Sequence, residues 1–368
     1  MKKKLAIIGA SYLQLPLIQK AREKGLETHV FAWKANDPGE EEADFFYPVS
    51  IVEKEEIEQK CREIGIDGIC SIASDLAMDT VNYVADRLHL PANSLECTRL
   101  STNKHEMRKA FEKAGCASCK SVEITADTLD LLDDFNWPLI IKPADRSGSR
   151  GIALVYDRHE AAKAIEQAAK ESFHGQVLAE NFIAGEEFSI ECISQNGKHT
   201  FLQATRKQTT GAPHFIETGH TEPAGLSDEI LEKVRQEVFK GLDALKITTG
   251  ASHSEIKVDE KGNLGLIEIG GRMGGDCIGS HLVYYSTGMD FTGMVIDCAL
   301  GNPLDFEVKR KPARAESHFI LTDRDNEKYL KLLKEHPERI AETVDWHPEK
   351  IGQTTDSSNR AGCYITVD

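Results

Sequence analysis

The chain has 368 residues, of which 40% are apolar and 28% charged, a composition typical of a globular protein with two or three domains. Acidic residues outnumber basic ones by 60 to 44, and the net charge of −16 disfavours nucleic acid and anionic membranes as partners. No stretch approaches the roughly 18 consecutive apolar residues of a membrane span. The nine cysteines are an odd number spread along the chain, which is typical of reduced thiols and leads us to expect a cytoplasmic protein.

Residues 1–92 alternate strand and helix patterns, which predicts an α/β domain with a doubly wound parallel sheet. The first strand is LAIIGA, and a helix over 13–24 leads to a second strand, LETHVFAW. A further strand, DGICSIA, and a helix over 75–88 complete the unit. The three lysines at the start imitate a signal peptide, but the broken apolar run that follows fits a first strand better.

A dinucleotide site in this domain is disfavoured by its first loop. The fingerprint needs glycines at 9, 11 and 14, where the chain has Gly9, Ser11 and Gln14. The second strand ends in Ala32 and Trp33 instead of an acid that could bind a ribose. We therefore interpret the domain as a scaffold with at most a small-molecule role.

The segment LPANS at 90–94 is a turn cluster and marks a domain boundary. A helix from about Asn103 to Ala114 follows and carries Lys104 in its first turn, where the helix dipole disfavours a lysine. Lys104 is then either a solvated surface residue or a residue with a functional reason to be there. Cys116 and Cys119 form a CxxC pair without a second pair at zinc spacing, so we expect neither a metal nor a redox role for them.

The segment PLIIKPADRSGSRG at 138–151 predicts a strand that ends near Lys142, followed by a glycine loop. Ser147 and Ser149, next to glycines such as Gly151, would let backbone N–H groups approach an oxyanion closely. The spacing excludes a P-loop. Many hairpin loops contain glycine and serine, so this motif is weak on its own.

The segment VLAENFIAGEEFSIECIS at 177–194 predicts two strands around a turn at Gly185. Glu180 near a free backbone edge, at Phe182, could accept a hydrogen bond from an adenine amino group. Glu187, two residues past the turn, could hold ribose hydroxyls. An exposed acidic hairpin is the open alternative.

The segment SHSEIKVDEKGNLGLIEIGGRMGGD, within 252–276, alternates apolar and polar residues on both sides of a two-residue Lys-Gly turn. Folding about that turn pairs Val258 with Gly265 and Glu255 with Glu268. A register slipped by one residue is the alternative, and it would put the two glutamates on opposite faces.

Two carboxylates paired across a hairpin repel each other unless a cation lies between them. Glu255 and Glu268 supply hard oxygen ligands, which suit Mg²⁺ (or Mn²⁺) carrying phosphates. Arg272 would share their face if the strand continues to it, and a guanidinium also suits phosphate.

In this order the motifs resemble the ATP-grasp superfamily, specifically its carboxylate–amine ligases, and the resemblance runs over most of the chain. It implies an ATP-grasp fold with a doubly wound N-terminal domain at 1–92 and an ATP-grasp domain at 93–310. A small α+β lid lobe at about 120–180 would cover an antiparallel-sheet catalytic lobe, which 311–368 would complete.

The resemblance also implies roles for single residues. ATP would be bound by Lys104, Lys142, Ser147, Ser149 and Gly151 at its phosphates, by Glu180 and the Phe182 backbone at adenine, and by Glu187 at the ribose. Magnesium would be bound by Glu255 and Glu268, and Arg272 would be the catalytic residue that stabilises the acyl phosphate. Glu217 and His220, in ETGHTEPAGLS, would join Arg272 near the substrates. One departure from the family is Gly270, which stands where many members have a metal-binding asparagine, so the second metal would take one more water or bind less tightly.

The implied activity is ATP-dependent ligation of a small-molecule carboxylate, expected to be an amino acid, to an amine through an acyl phosphate. A biotin-carboxylase-like enzyme, or another ATP-grasp enzyme with a different carboxylate, would share every nucleotide residue. A nucleotide-binding module without catalysis would lack Glu255, Glu268 and Arg272, which are all present. The oligomeric state stays open, with a homodimer among the expected assemblies.

Overall fold

The computed structural model describes residues 2–146, 150–211, 216–354 and 359–368, so that Ser147 and Ser149 of the predicted glycine loop lie outside it. The strands are β1 Lys4–Ile8, β2 Glu27–Phe31, β3 Phe45–Tyr47, β4 Gly68–Cys70, β5 Ser121–Glu123, β6 Leu139–Pro143, β7 Ala153–Val155, β8 Val177–Asn181, β9 Glu186–Gln195, β10 Lys198–Thr209, β11 Glu217–Glu222, β12 Gly250–Val258, β13 Leu264–Gly270, β14 Ala315–Phe319, β15 Ile340–Val344 and β16 Cys363–Val367.

The α-helices are α1 Leu15–Glu23, α2 Pro38–Glu42, α3 Lys54–Ile64, α4 Asp75–Leu88, α5 Leu95–Thr102, α6 Lys104–Ala114, α7 Arg158–Glu171, α8 Asp228–Ala244, α9 Val283–Thr287, α10 Phe291–Ala299 and α11 Asp323–Glu335. Among the described residues, no helix combines the length and the apolar character that crossing a bilayer requires.

The N-terminal sheet is parallel in the order β3-β2-β1-β4, which confirms the predicted α/β architecture. Successive residues of β1 point to opposite faces, and both faces are buried. Leu5 and Ile7 join a core with α10, whereas Ala6 and Ile8 pack with α3 and α4. The predicted helix over 75–88 matches α4, while α2, β3 and α3 were not predicted, because their short or acidic segments lack a strong apolar period.

A small antiparallel sheet, in the order β5-β8-β6-β7, lies in the middle of the chain. Helix α7 packs on it through Ala161, Ala164, Ile165 and Ala168. These residues and strand residues such as Ile141 form a separate hydrophobic core. The small sheet is therefore stabilised by contacts of its own.

The large antiparallel sheet runs β13-β12-β9-β10-β11-β14-β16-β15. Helices α6 and α8 cover one face, where Phe111, Phe188 and Val238 belong to one buried cluster. Strands β14, β15 and β16 extend the sheet beyond β11, so the C-terminal part of the chain completes it. The opposite face carries the polar residues that form the site described below.

The hairpin β12–β13 has the predicted glutamate pair but not the predicted turn. Glu255 lies opposite Glu268, as expected from the sequence. Val258, however, pairs with Leu264 instead of Gly265, because the Asp259 amide bonds to the Asn263 carbonyl and closes a longer loop. A bulge next to Glu255 then restores the register. The bulge is what keeps both glutamates on one face despite the longer loop.

Candidate functional site

A cavity of about 160 Å³ lies between the small sheet and the large sheet, and we call it the central cavity. Its lining includes these predicted residues: Lys104, Lys142, Glu180, Phe182, Glu187, Glu217, Glu255 and Glu268. It also includes these residues, for which the sequence predicted no role in the site: Arg108, Cys119, Arg146, Lys207 and Lys257. A wider, shallow groove beside Arg22 and Asp44 shares no residue with it and gathers none of the predicted groups.

Strand geometry explains why the acidic residues converge. Side chains alternate along a strand, so Glu187 on β9 and Glu255 on β12 reach the same face of the large sheet as Glu268 on β13. The chain enters β9 through Gly185, whose φ of +122° suits glycine. A Cβ atom at Gly185 would lie 2.5 Å from the Val258 carbonyl oxygen, so only glycine lets the turn pass this close to the hairpin.

Lys207 is the central cation of the cavity. Its Nζ atom lies 2.6 Å from Glu187, 2.8 Å from Glu255 and 3.6 Å from Glu217. Burial alone lowers the pKa of Lys207, but the three carboxylates outweigh it and raise that pKa well above the ordinary value. Lys207 therefore supplies the cation for one of the two paired glutamates, Glu255. The sequence signal was weak, because Lys207 is one of several charged residues on a long exposed-looking strand.

Glu180 forms a buried network with two cations. Arg108 donates to both carboxylate oxygens, at 2.8 and 3.0 Å, and Lys142 Nζ lies 2.7 Å from Oε2. Burial raises the pKa of Glu180, but Arg108 and Lys142 outweigh it and hold that pKa far below its usual range. The neighbouring Phe182 N–H donates to the Pro138 carbonyl at 3.3 Å. The adenine-binding roles of Glu180 and the Phe182 backbone remain predictions.

Lys104 is not a solvated surface lysine. Asn103 caps α6 by accepting from the amides of His105 and Glu106, which fixes Lys104 in the first turn. Its Nζ atom lies 3.0 Å from Glu268 and donates to the Arg146 carbonyl at 2.9 Å. Lys104 therefore links the hairpin to the start of the glycine loop. Gly151, at the end of that loop, has φ +69°, which glycine readily adopts.

Arg272 lies beyond the end of β13 and is held by the N-terminal domain. Its Nε and Nη2 atoms donate to Asp75 at 2.8 and 2.9 Å, in a bidentate pair. Ser74 caps α4 and so places Asp75 in the first turn of that helix. The sequence expectation that the strand runs on to Arg272 is therefore not met, since β13 ends at Gly270.

Gly270, the departure from the family pattern, has a local physical explanation. A Cβ atom there would lie 2.8 Å from Asp75 Oδ1 and 3.3 Å from Arg272 Nε. A larger side chain would therefore collide with the ion pair that anchors Arg272.

A second buried pair supports both the hairpin and the turn that carries Arg272. Glu191 on β9 lies opposite His253 on β12, and their Oε1 and Nδ1 atoms are 2.5 Å apart. The other Glu191 oxygen accepts from the Gly274 amide at 3.0 Å, and His253 Nε2 lies 3.7 Å from Glu255. Burial lowers the pKa of His253, but Glu191 outweighs it and raises that pKa to about 9. His253 is therefore an imidazolium between two carboxylates.

Glu217 and His220 lie on β11, next to Lys207. Glu217 lines the central cavity, whereas His220 is 1% exposed and packs edge-on against Phe319. Within the described residues neither ring nitrogen of His220 has a hydrogen-bond partner, and burial lowers its pKa to about 3. His220 is therefore a neutral imidazole. The two residues expected near the substrates are thus close to each other, while Arg272 is turned to Asp75.

The residues fit a magnesium site that is completed by other ligands. The described residues contain no group of three or more His, Cys, Asp or Glu side chains arranged around one position. Glu255 and Glu268 are a facing pair, and the contact of Glu255 with Lys207 at 2.8 Å marks a place that favours positive charge. Mg²⁺ commonly binds one or two carboxylates together with phosphate oxygens and waters. Two facing glutamates beside a cavity lined by several lysines match that pattern.

The fold and this cavity define the class of protein. Residues 135–280 match the sequence model of the ATP-grasp domain family. That segment includes strands β6, β7 and β8 of the small sheet, the hairpin and most of the cavity-lining residues. Residues 135–280 are therefore an ATP-grasp domain, and the chain has the mixed α/β ATP-grasp fold, as the sequence motifs indicated.

Several ligases are similar to this chain in sequence or in structure. The chain is 28% identical to alanine–anticapsin ligase of Bacillus subtilis over 268 residues, which cover 63% of this chain and 56% of that enzyme. It spans only about half the length of the curated relatives that it matches. The L-amino acid ligase of Bacillus licheniformis superimposes with a TM-score of 0.83 at 25% identity, over 100% of this chain and 93% of that one. The biotin carboxylase domain of the Hydrogenobacter thermophilus 2-oxoglutarate carboxylase, solved with MgADP and bicarbonate, superimposes with a TM-score of 0.77 at 17% identity. The superposition covers 100% of this chain and 86% of that domain, so the two share the fold.

Proposed function

We propose that the protein is an ATP-dependent carboxylate–amine ligase, which joins an amino acid carboxylate to an amine and releases ADP and phosphate. The observation that carries this proposal is the central cavity, which is lined by lysines 104, 142 and 207 together with the carboxylates of Glu255 and Glu268. Lysines suit the phosphates of a nucleoside triphosphate, and the two carboxylates suit the magnesium ion that accompanies it. The named ligases among the relatives support the same reaction class.

The chemistry follows from the charges. A carboxylate is a poor electrophile and becomes reactive after it takes the γ-phosphoryl group of ATP, which is mainly a matter of positioning and charge neutralisation. Lys104, Lys142 and Lys207 would stabilise the phosphates, and Glu255 and Glu268 would hold Mg²⁺, which neutralises phosphate charge. The amine nitrogen then attacks the acyl carbon. The bond from that carbon to the phosphate oxygen breaks, phosphate leaves with the electron pair, and the amine gives up one proton to water.

An amino acid is the substrate class that the neighbouring residues support. Glu217 lines the cavity and offers an anion for an ammonium group, and His220, on the same strand, is a neutral imidazole that can accept a hydrogen bond. Both relatives named above are ligases of amino acids by name. A biotin-carboxylase-like reaction is the second candidate, since the biotin carboxylase domain has the same fold and its structure is a complex with bicarbonate.

The test is ADP release with amino acids offered singly and in pairs, with ATP and Mg²⁺. We expect ADP and phosphate to appear only when a carboxylate and an amine are both present. Bicarbonate-dependent ADP release without any amino acid would support the second candidate instead. Release of AMP and pyrophosphate would contradict the acyl phosphate route.

The matched variants are Glu268→Gln and Glu186→Gln. Glu268→Gln should abolish ADP formation and leave the fold intact, because the side chain keeps its shape but loses the charge that binds Mg²⁺. Glu186 lies at the exposed start of β9, paired with Arg206, so its replacement should leave turnover unchanged. Near-normal turnover of Glu268→Gln at saturating magnesium would refute the proposed metal role.

A further inference from the structure

A second, smaller cavity lies beside the central cavity, and we call it the polar recess. It is lined by Tyr12 from the loop after β1, Asp276 from the turn after β13, Phe319 at the end of β14, and Arg360 before β16. These residues come from the N-terminal domain, the middle and the end of the chain. No sequence motif pointed to the recess.

Arg360 is the central residue of the recess. It is 7% exposed, forms an ion pair with Asp276 and lies over the Phe319 ring, 3.7 Å from its centroid. Its Nη1 atom is 3.5 Å from the backbone oxygen of Glu217. The Glu217 side chain lines the central cavity, so Glu217 belongs to the wall between the two cavities.

His220 lies against the same wall. Its ring meets the edge of the Phe319 ring at a centroid distance of 5.3 Å, so one aromatic side chain contacts both His220 and Arg360. Buried ring nitrogens normally find a partner, and those of His220 have none among the described residues. A ligand group in this region would supply the missing partner.

The size and charge of the recess indicate the kind of group that fits. Its volume of about 30 Å³ corresponds to about two water molecules, which is close to the size of one carboxylate group. The lining contains two cations, Arg360 and Lys350, and two anions, Asp276 and Asp345. These charges balance, so the recess does not repel an added carboxylate as an acidic site would. Burial and the nearby Asp276 raise the pKa of Tyr12, and its hydroxyl stays protonated and able to donate.

We propose that the polar recess binds the carboxylate of the amine-bearing substrate and that Arg360 is the residue that selects for it. A guanidinium has five N–H groups in a fixed fork, and the contacts of Arg360 with Asp276 and Glu217 leave donors for a second carboxylate. The amine of the same molecule would then extend past Glu217 and His220 toward the central cavity. The amine donor is therefore an amino acid and not a simple amine. This inference rests on the proposed ligase function.

The test compares an amino acid with the corresponding amino acid amide as the amine donor, because the amide keeps the nucleophile and loses the carboxylate charge. In Arg360→Gln, KM for the amino acid should rise about 10- to 100-fold, as expected for one lost charge-assisted contact, with KM for the amide and for ATP unchanged. Arg360→Lys should recover part of the preference, since it keeps the charge without the fork. Arg310→Gln is the matched control, because Arg310 also stacks on an aromatic ring, Tyr285, outside both cavities.

A second variant tests the proposal independently, in case Arg360→Gln does not fold. Tyr12→Phe removes one donor from the recess and leaves the Arg360–Asp276 pair in place, and it should raise KM for the amino acid about three- to tenfold without affecting the amide. Equal changes for amino acid and amide, or no change for either, would overturn the proposal. Failure of the wild-type protein to release ADP with any acid and amine would refute the ligase function itself, which is a separate outcome.

Discussion

Replacement of Glu191 by glutamine tests how the hairpin and the Arg272 turn are held together. Glu191 is fully buried, lies 2.5 Å from His253 Nδ1 and accepts from the Gly274 amide at 3.0 Å. Glutamine has the same shape and can still accept from Gly274. It removes the negative charge that faces the His253 imidazolium, so the substitution isolates the electrostatic part of the contact.

The expected cost follows from the burial of the pair. Removing one partner of a buried ion pair costs about 3–5 kcal/mol, because the remaining charge is left without compensation. In a chain of this size that corresponds to a fall in Tm of roughly 4–6 °C. Because His253 Nε2 lies 3.7 Å from Glu255, we also expect Mn²⁺ affinity, measured by titration with ADP present, to fall about 10- to 100-fold.

The control is a second His–Glu pair at a distance from the cavities. His281 Nε2 lies 3.1 Å from Glu342, so Glu342→Gln should reduce Tm by a smaller amount, since Glu342 is 39% exposed, and leave Mn²⁺ affinity unchanged. In the double variant Glu191→Gln/His253→Gln, the loss of stability should be smaller than the sum of the two single losses. An unchanged Tm and Mn²⁺ affinity in Glu191→Gln would refute the reasoning, as would an equal loss of Mn²⁺ affinity in Glu342→Gln.

Two further predictions concern single buried ionisable residues, Glu222 and Lys207. Burial raises the pKa of Glu222 from 4.5 to about 8, although the hydroxyls of Thr205 and Ser286 act in the opposite direction. Between these two pH values the folded state keeps a proton that the unfolded chain has lost. The free energy of unfolding therefore falls with rising pH, by up to about 1.4 kcal/mol per pH unit. Glu222→Gln should flatten that part of the Tm profile between pH 5 and 8, and an unaltered slope would contradict the assignment. Lys207→Met leaves three carboxylates without their shared cation, so Tm should fall without metal and Mg²⁺ should raise it more than in the wild type. Lys257→Met is the control, because Lys257 lines the same cavity and makes none of these three ion pairs; an equal Mg²⁺ response in both variants would exclude the special role of Lys207.

The sequence by itself determined the elements whose signals are local. Two-residue periodicity on both sides of a turn predicted Glu255 opposite Glu268, and the helix predicted from about Asn103 put Lys104 in the first turn of α6, as the structure has them. The alternation of strands and helices gave the parallel N-terminal sheet. The detail of the hairpin was beyond such reasoning, because the bulge next to Glu255 compensates a longer loop through contacts that periodicity does not record.

Only the tertiary structure decided which charges meet, because the partners are far apart along the chain. Arg272 pairs with Asp75, 197 residues away, and the backbone of Glu217 meets Arg360, 143 residues away. A lone charged residue on an exposed-looking segment predicts nothing about its partner, and Lys207 illustrates this, since its three glutamates come from three different strands. Local sequence fixes the face on which a side chain lies, whereas the packing of sheets and domains fixes which faces confront each other. The central cavity and the polar recess are therefore products of the packing of sheets and domains, which the local sequence does not reveal.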